Sequence, residues 1–477
     1  MSPEPVTETQ IVASKGGGTN DKDLRILIFT AAYFVLDGVT LTIRRIESHL
    51  RSRGAIVKIC TTAGEDLDAE QMKDVILVPG IKIPLTAAGS GKQIPIYLFN
   101  THFIALIYMC MIGYALGVGL DAETIKKLEE FNPNCVHFTV PDFVALDGIR
   151  WCQSRNIAYM GTWHSNYVDY LKYYNLDFLL APTVHRFLKS FYQQMPSVYV
   201  PTPYMLGRLR EWKYDTCTEL HEWGRGIDLK LFSPQRRSNA FRASKGIADT
   251  DIIVLWVGRL VPEKRVDIWM NVVSKLQSEG LPVKALVVGN GTYEKALSQL
   301  HHVTCCGWLS GEALAEAYAS SDVLLFPSDV ETFGNVTLEA LASGCTCVVE
   351  RKCGEHLVQH GSNGFTCEAG DFNDFYEATK RIVTETAMRK KMAHNARVFS
   401  WKYERNGILQ QMLENYKVLT YTPYTYTTYK PDIDTLHYII LIYICMCVYS
   451  TRSSNSATPR SSRPASTTYR RPRDATS

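Results

Sequence analysis

Apolar positions along the chain gather into short, nearly uninterrupted runs. Leu24-Arg-Ile-Leu-Ile-Phe29, Ile157-Ala-Tyr-Met-Gly-Thr-Trp163, Ile252-Ile-Val-Leu-Trp-Val-Gly258, Val283-Lys-Ala-Leu-Val-Val-Gly289 and Val323-Leu-Leu-Phe-Pro-Ser-Asp329 all follow this pattern, and most end on glycine or polar residues. Runs of this kind fit strands covered on both faces, the condition of a parallel sheet flanked by helices. Between them the pattern turns helical. Thr40 to Arg53 carries Leu41, Ile43, Ile46 and Leu50 on one stripe, a second helix is expected from about Val266 to Glu279, and a third opens at Gly334. Alternating strand and helix predicts an α/β protein. At 477 residues the chain can bury two ordinary cores and is too long for one. The expected architecture is two doubly wound, Rossmann-like domains facing a cleft, at about 24–212 and 218–386, with helices over 387–419.

Polar residues collect where the predicted strands end, and there they carry chemistry. After Val323–Asp329 comes Glu331-Thr-Phe-Gly-Asn-Val-Thr-Leu-Glu339. Glu331 falls in the loop and Glu339 about one and a half turns into the helix, at ~3.6 residues per turn, so the two acids reach different parts of one extended ligand. Gly334 lets the backbone approach that ligand, and the free N–H groups at the helix start, over Phe333, Gly334, Asn335 and Val336, suit phosphate and sugar hydroxyls. An ordinary strand, loop and helix with surface acids would show the same spacing. Gly258 is followed by Arg259 and, after a tight turn, Lys264. A planar fork of donors and a compact cation make a clamp for a diphosphate leaving group. Gly289 and Gly291 form a Gly-x-Gly turn, by itself a common way to join a strand to a helix.

Taken together, Glu331-x7-Glu339 and Gly258-Arg-Leu-x-x-x-Lys264 resemble the retaining glycosyltransferases of family 4, which have the GT-B fold. The resemblance covers about 24–419 and is interrupted near an apolar insert at about 94–112. It implies that Glu331 contacts the donor sugar, Glu339 the ribose hydroxyls, and Arg259 and Lys264 the donor phosphates, with Gly258, Gly289 and Gly291 lining the nucleotide pocket. His164, at the end of the run Ile157–Trp163, is placed by the same resemblance beside the donor sugar. There an imidazole can donate to a hydroxyl as the anomeric carbon becomes oxocarbenium-like. Asp37 and Gly38, a turn before the first helix, are expected at the donor phosphates or the acceptor, although a tight turn without a ligand fits them equally. Trp223-Gly-Arg-Gly-Ile-Asp228 matches the family's passage into its second domain, and the helices over 387–419 its return to the first. The catalytic set is thus His164, Arg259, Lys264 and Glu331, with neither metal nor cofactor expected.

A retaining hydrolase would need paired carboxyl groups about 5 Å apart. No second well-placed carboxylate near the sugar suggests a covalent intermediate, so the resemblance implies front-face transfer, in which the departing phosphate oxygen helps deprotonate the acceptor. Within the family the chain looks closest to sulfoquinovosyl- and glucosyl-diacylglycerol synthases and to GDP-mannose-dependent or phosphatidylinositol mannosyltransferases. This favours a UDP-sugar donor and a lipid acceptor such as diacylglycerol, with a GDP-mannose-dependent α-mannosyltransferase or a non-catalytic nucleotide-sugar-binding scaffold as alternatives. Asp249-Thr-Asp251 offers the Asp-x-Asp of a metal-dependent transferase, but it precedes a strand, whereas ligands gather at the carboxyl ends.

Charge and cysteine content refine the picture only at its edges. The formal charge of +3 belongs to the tail: Thr451 to Ser477 carries six Arg and one Asp, and removing it leaves −2. A solvated tail is expected there, and no nucleic-acid partner. Thirteen Cys without a Cys-x-x-Cys point to a reducing compartment, with Cys345 and Cys347 as core thiols. Residues 1–23 are polar and Gly-rich, without the apolar core of a secretory signal. The expected location is the cytoplasmic or organelle-stromal side, with peripheral membrane contact or a weak anchor. Ile94 to Leu120 is long enough to span a bilayer, yet strands of one domain flank it, so a crossing is not expected. Leu436 to Tyr449, within a 420–477 tail, is short for a span.

Overall fold

The computed structural model describes residues 21–31, 33–34, 38–62, 72–81, 116–117, 119–170, 172, 177–300 and 303–421. Asp37, the apolar insert at 94–112 and the tail beyond 421 lie outside the described residues.

Two parallel sheets form the frame. The first is built from β1 (Arg25–Phe29), β2 (Ile56–Thr62) and β3 (Val75–Val78), then, past a short antiparallel pair β4 (Gly80–Ile81) and β5 (Leu116–Gly117), from β6 (Cys135–Phe138), β7 (Ala158–Thr162), β8 (Ser197–Val200) and β9 (Glu219–Glu222). Its strand order is β3-β2-β1-β6-β7-β8-β9. The second holds β10 (Ile252–Val257), β11 (Val283–Val288), β12 (Val303–Cys305), β13 (Val323–Phe326), β14 (Thr346–Glu350) and β15 (Gly364–Cys367), in the order β12-β11-β10-β13-β14-β15. Every pairing within either sheet is parallel. In both, strand order reverses beside the first strand, between β1 and β6 and between β10 and β13. Those switch points open crevices at the carboxyl ends, where the fold class holds its ligands.

The central strands are apolar because helices cover both faces: all of β10, β13 and β14 is buried. Cys345 and Cys347 are buried there too. The first helix runs Gly38–Ser52, two residues earlier than its stripe predicts, and buries Ile43, Ile46 and Leu50. Leu41 instead stands 39% exposed, while Thr40 and Thr42 are buried. The Thr42 hydroxyl satisfies itself by donating to the Gly38 carbonyl at 2.8 Å, so a polar residue can take the inward position.

The chain crosses between the sheets twice, side by side. The Ile227 N–H donates to Tyr403 O at 2.8 Å and Arg405 N–H to Ile227 O at 3.0 Å. Beyond that ladder the last described helix, Arg405–Tyr421, lays Leu409, Met412, Leu413, Tyr416 and Leu419 into the core of the first sheet with Leu24, Ile26, Ile28 and Met160. Among the described residues no helix is long and apolar enough to cross a membrane.

Candidate donor-sugar site

Four strand ends and one interdomain segment build the site. At the end of β13, the Glu331 carboxylate accepts from Lys264 Nζ at 2.5 Å and from the Ser328 hydroxyl at 3.1 Å, while Lys264 Nζ also reaches the Val330 carbonyl at 3.2 Å. Lys264 comes from the turn after β10, so this ion pair spans the switch point. Both side chains are largely buried, at 11% and 17% exposure, which makes the pairing stronger than a surface bridge. Arg259 pairs elsewhere. Its guanidinium is 55% exposed and pairs at 3.3 Å with Glu263, whereas Lys264 is held by Glu331.

Gly258, Gly289 and Gly291 all have positive φ, at 140°, 128° and 155°. At the latter two the reason is packing. A Cβ on Gly289 would lie 2.0 Å from the Gly258 carbonyl oxygen, and one on Gly291 2.4 Å from the Leu260 carbonyl oxygen, because the ends of β10 and β11 press together there. Gly334 caps the helix Asn335–Ala342 at φ 89°, with no close neighbour; the backbone angle, not space, requires glycine. Its amide-bearing end faces the other domain, and Asn335 Nδ2 lies 4.0 Å from where a Cβ of Gly38 would stand. Two helix N-termini, one per domain, therefore approach each other, as befits an anionic ligand between them. Val336 is half-buried against the second core. The Phe333 ring is turned inward, 5.3 Å from His356 and 5.9 Å from Tyr403 between centroids, so only the backbone of this residue is left for a ligand.

Glu339 sits one turn deeper and accepts from the Tyr318 hydroxyl at 3.0 Å. Burial pushes its carboxyl up to about 7, against the lowering pull of Tyr318 and of Arg45, which reaches it from the first domain's helix. His164 follows β7 and is 6% exposed. Its Nδ1 lies 2.7 Å from Nη2 of Arg225, and burial, together with Arg225 and His137, holds the imidazole well below its usual range. His164 is therefore neutral. Arg45 and Arg225 escaped attention in the sequence. Arg45 has a visible signal, as one of two adjacent arginines in the first helix; Arg225 lies in the Trp223–Asp228 stretch, whose resemblance speaks for the passage between domains and not for the site. Among the described residues no group of three or more His, Cys, Asp or Glu is arranged to hold a metal ion. Asp251 spends its carboxylate on the Ala248 N–H at 2.8 Å, at the amino end of β10 and away from the crevice.

Two family models match consecutive parts of the chain: "Glycosyltransferase Family 4" over residues 36–231 and "Glycosyl transferases group 1" over 237–399. The chain is a family 4 glycosyltransferase of the GT-B fold. The enzyme is 26% identical over 299 residues to the sulfoquinovosyl transferase SQD2 of Arabidopsis thaliana, a match spanning 61% of this chain and 57% of that one. It thus spans little more than half the length of that relative. Against the GDP-mannose-dependent alpha-mannosyltransferase of Corynebacterium glutamicum it is 24% identical, over 83% of this chain and 89% of the other. The alpha-monoglucosyldiacylglycerol synthase of Streptococcus pneumoniae matches at 24% over 67% and 70%. Among solved structures, the sucrose-phosphate synthase of Thermosynechococcus elongatus superposes with a TM-score of 0.67 at 20% identity, covering 83% of this chain and 99% of that one, which supports the two-domain fold of this glycosyltransferase.

Proposed function

We propose that this glycosyltransferase moves a hexose, with retention of configuration and without a metal, from a UDP-sugar to a hydroxyl of a lipid such as diacylglycerol. The observation that carries the donor half is the buried Lys264–Glu331 pair at the β10/β13 switch point, flanked by the converging helix N-termini at Gly38 and Gly334. When a diphosphate enters, Lys264 can turn from the carboxylate toward it and neutralise the charge that grows on the leaving oxygen, while the exposed Arg259 can leave Glu263 and add a second cation. The released Glu331 is then free to accept from sugar hydroxyls. The nucleoside diphosphate departs with the electrons of the anomeric C–O bond. Its phosphate oxygen takes the proton of the acceptor hydroxyl, whose oxygen bonds to the same face of the sugar; the protein positions the groups and shields charge. The likeness to a diacylglycerol-named synthase supports a lipid acceptor. A second reading, GDP-mannose as donor, is favoured by the match that covers most of both chains. Peripheral contact with a membrane follows if the acceptor is a lipid.

Mass spectrometry of reactions containing UDP- and GDP-sugars with diacylglycerol or phosphatidylinositol vesicles tests the proposal. One donor should yield a glycolipid and free nucleotide, at a rate unchanged by excess EDTA. Product from GDP-mannose alone would select the second reading, and donor binding without any product would favour a scaffold.

Glu339 makes donor binding pH-dependent. Ribose hydroxyls donate to a carboxylate, and with its carboxyl at about 7 in the empty site only the ionised fraction accepts on both oxygens and with charge-assisted strength. That fraction rises from about a tenth at pH 6 to about nine tenths at pH 8, so the Kd for a UDP-sugar should tighten over this interval, by at most roughly tenfold. The sugar diphosphate itself has no proton to lose there. Calorimetry on Glu339→Gln should show weaker binding with a flat profile; an unchanged slope would assign the titration to another group.

A further inference from the structure

Trp223-Gly-Arg-Gly-Ile227 carries the chain from β9 toward the second domain through a passage with no spare room. A Cβ on Gly224 would stand 3.3 Å from the Phe333 ring, and one on Gly226 2.7 Å from Arg405 Cα. The residue between them alone carries a side chain, and that side chain is Arg225, only 6% exposed, with its guanidinium carbon 5.2 Å from the Trp223 ring centroid. The Trp223 indole is itself pinned, donating to Ile408 O at 3.1 Å. Arg225 thus stands on a fixed base and presents Nη2 to His164 Nδ1 at 2.7 Å.

A guanidinium has donors and no acceptor, so the hydrogen bond can run only from Arg225 to His164. Nδ1 must carry the lone pair, which puts the single imidazole proton on Nε2. That Nε2 is buried and finds no partner among the described residues, and neither does Nη1 of Arg225. A buried donor left unpaired costs about 1–3 kcal/mol, so two on one contact mark a place where a ligand supplies the acceptor.

We propose that Arg225 is a positioning residue that locks His164 as the Nε2–H tautomer, so that the imidazole faces an oxygen of the bound donor as a neutral hydrogen-bond donor. The proposal rests on the donor-site reading above and goes beyond it by naming what sets the histidine's chemistry. Without Arg225 the ring is free to take either tautomer and to rotate, and a fraction of the enzyme presents a lone pair where a donor is needed. The demand falls on turnover rather than on nucleotide binding, because the nucleotide is held by the other domain.

The tautomer is read directly from nitrogen couplings in a long-range NMR spectrum of the full-length protein labelled at histidine. His164 should appear as Nε2–H; an Nδ1–H signal would overturn the proposal, whatever the activity. Kinetics supply the second arm. Arg225→Met should lower kcat ~100-fold, as loss of a transition-state donor does, with the KM for the sugar nucleotide nearly unchanged. Arg225→Lys, which keeps a donor, should recover about tenfold of that loss, and the double variant R225M/H164A should be no slower than H164A, since residues acting as a unit do not add. Multiplying losses in the double variant, or an R225M enzyme at the parent rate, would overturn the proposal while leaving the donor-site reading intact. Parent enzyme inactive with every sugar nucleotide would overturn the reading instead, and the catalytic consequence with it, even with the tautomer as stated.

Discussion

Replacing Lys264 by alanine is expected to lower turnover ~100-fold or more, the scale on which preorganised electrostatic groups act. The ammonium lies 2.5 Å from Glu331 and 3.2 Å from the Val330 carbonyl, in a site that excludes most solvent. A charge in such a place is already oriented before the reaction begins, and no water can reorganise quickly to replace it. Its removal also leaves Glu331 with the Ser328 hydroxyl but no cation, so the carboxylate that should meet the sugar faces a diphosphate of the same sign. Glu331→Ala should cost a similar factor. Because the two side chains share one contact, the double variant should lose much less than the product of the single losses. Single-turnover kinetics with saturating donor measure this cleanly, and parent-like turnover in K264A would remove Lys264 from the mechanism.

Gly289→Ala should destabilise the second domain by ~3 kcal/mol or more, since a clash and a strained backbone act together. The new methyl would be placed 2.0 Å from the Gly258 carbonyl oxygen, and φ is 128°, an angle side chains rarely adopt. Neither partner can yield easily, because the Gly258 N–H is bonded to Val288 O at 3.0 Å and the Gly289 N–H to Gly307 O at 2.8 Å. Gly311→Ala is the control. It too has positive φ, at 56°, but nothing stands within 4 Å of its Cβ, so about 1 kcal/mol is expected from the backbone alone. Urea unfolding of the three proteins separates the cases; equal midpoints for G289A and the parent would mean that the β10 and β11 ends are not pressed together as described.

The reason Gly289 is glycine shows where the sequence stops speaking. A Gly-x-Gly turn is equally consistent with a ligand against the backbone and with two strand ends touching, and only the fold decides which surface is near. The strands were legible because burial on both faces leaves an apolar run that solvent-exposed chain rarely shows, as in Ile252–Val257. Glu331 and Lys264 were legible as separate motifs. That they meet was not, since 67 residues separate them and only the order β10-β13 brings their strand ends together. Arg259 was read as half of a clamp from its residue type, yet the nearby Glu263 competes for it in the empty site. Phe333 was grouped with the donor-binding loop by position, while its size and apolar ring drew it toward Tyr403 instead. Arg225 was the largest omission. Its two flanking glycines were the available signal, because they leave Arg225 as the one side chain in a closely packed stretch.

A crystal structure of the full-length protein with a bound UDP-sugar tests the central claim most directly. The account predicts the diphosphate within hydrogen-bond distance of Lys264 and the helix start at Gly334–Asn335, the ribose on Glu339, and the hexose between Glu331 and His164 Nε2. A nucleotide bound away from the β10/β13 switch point, with Lys264 still closed on Glu331, would contradict it.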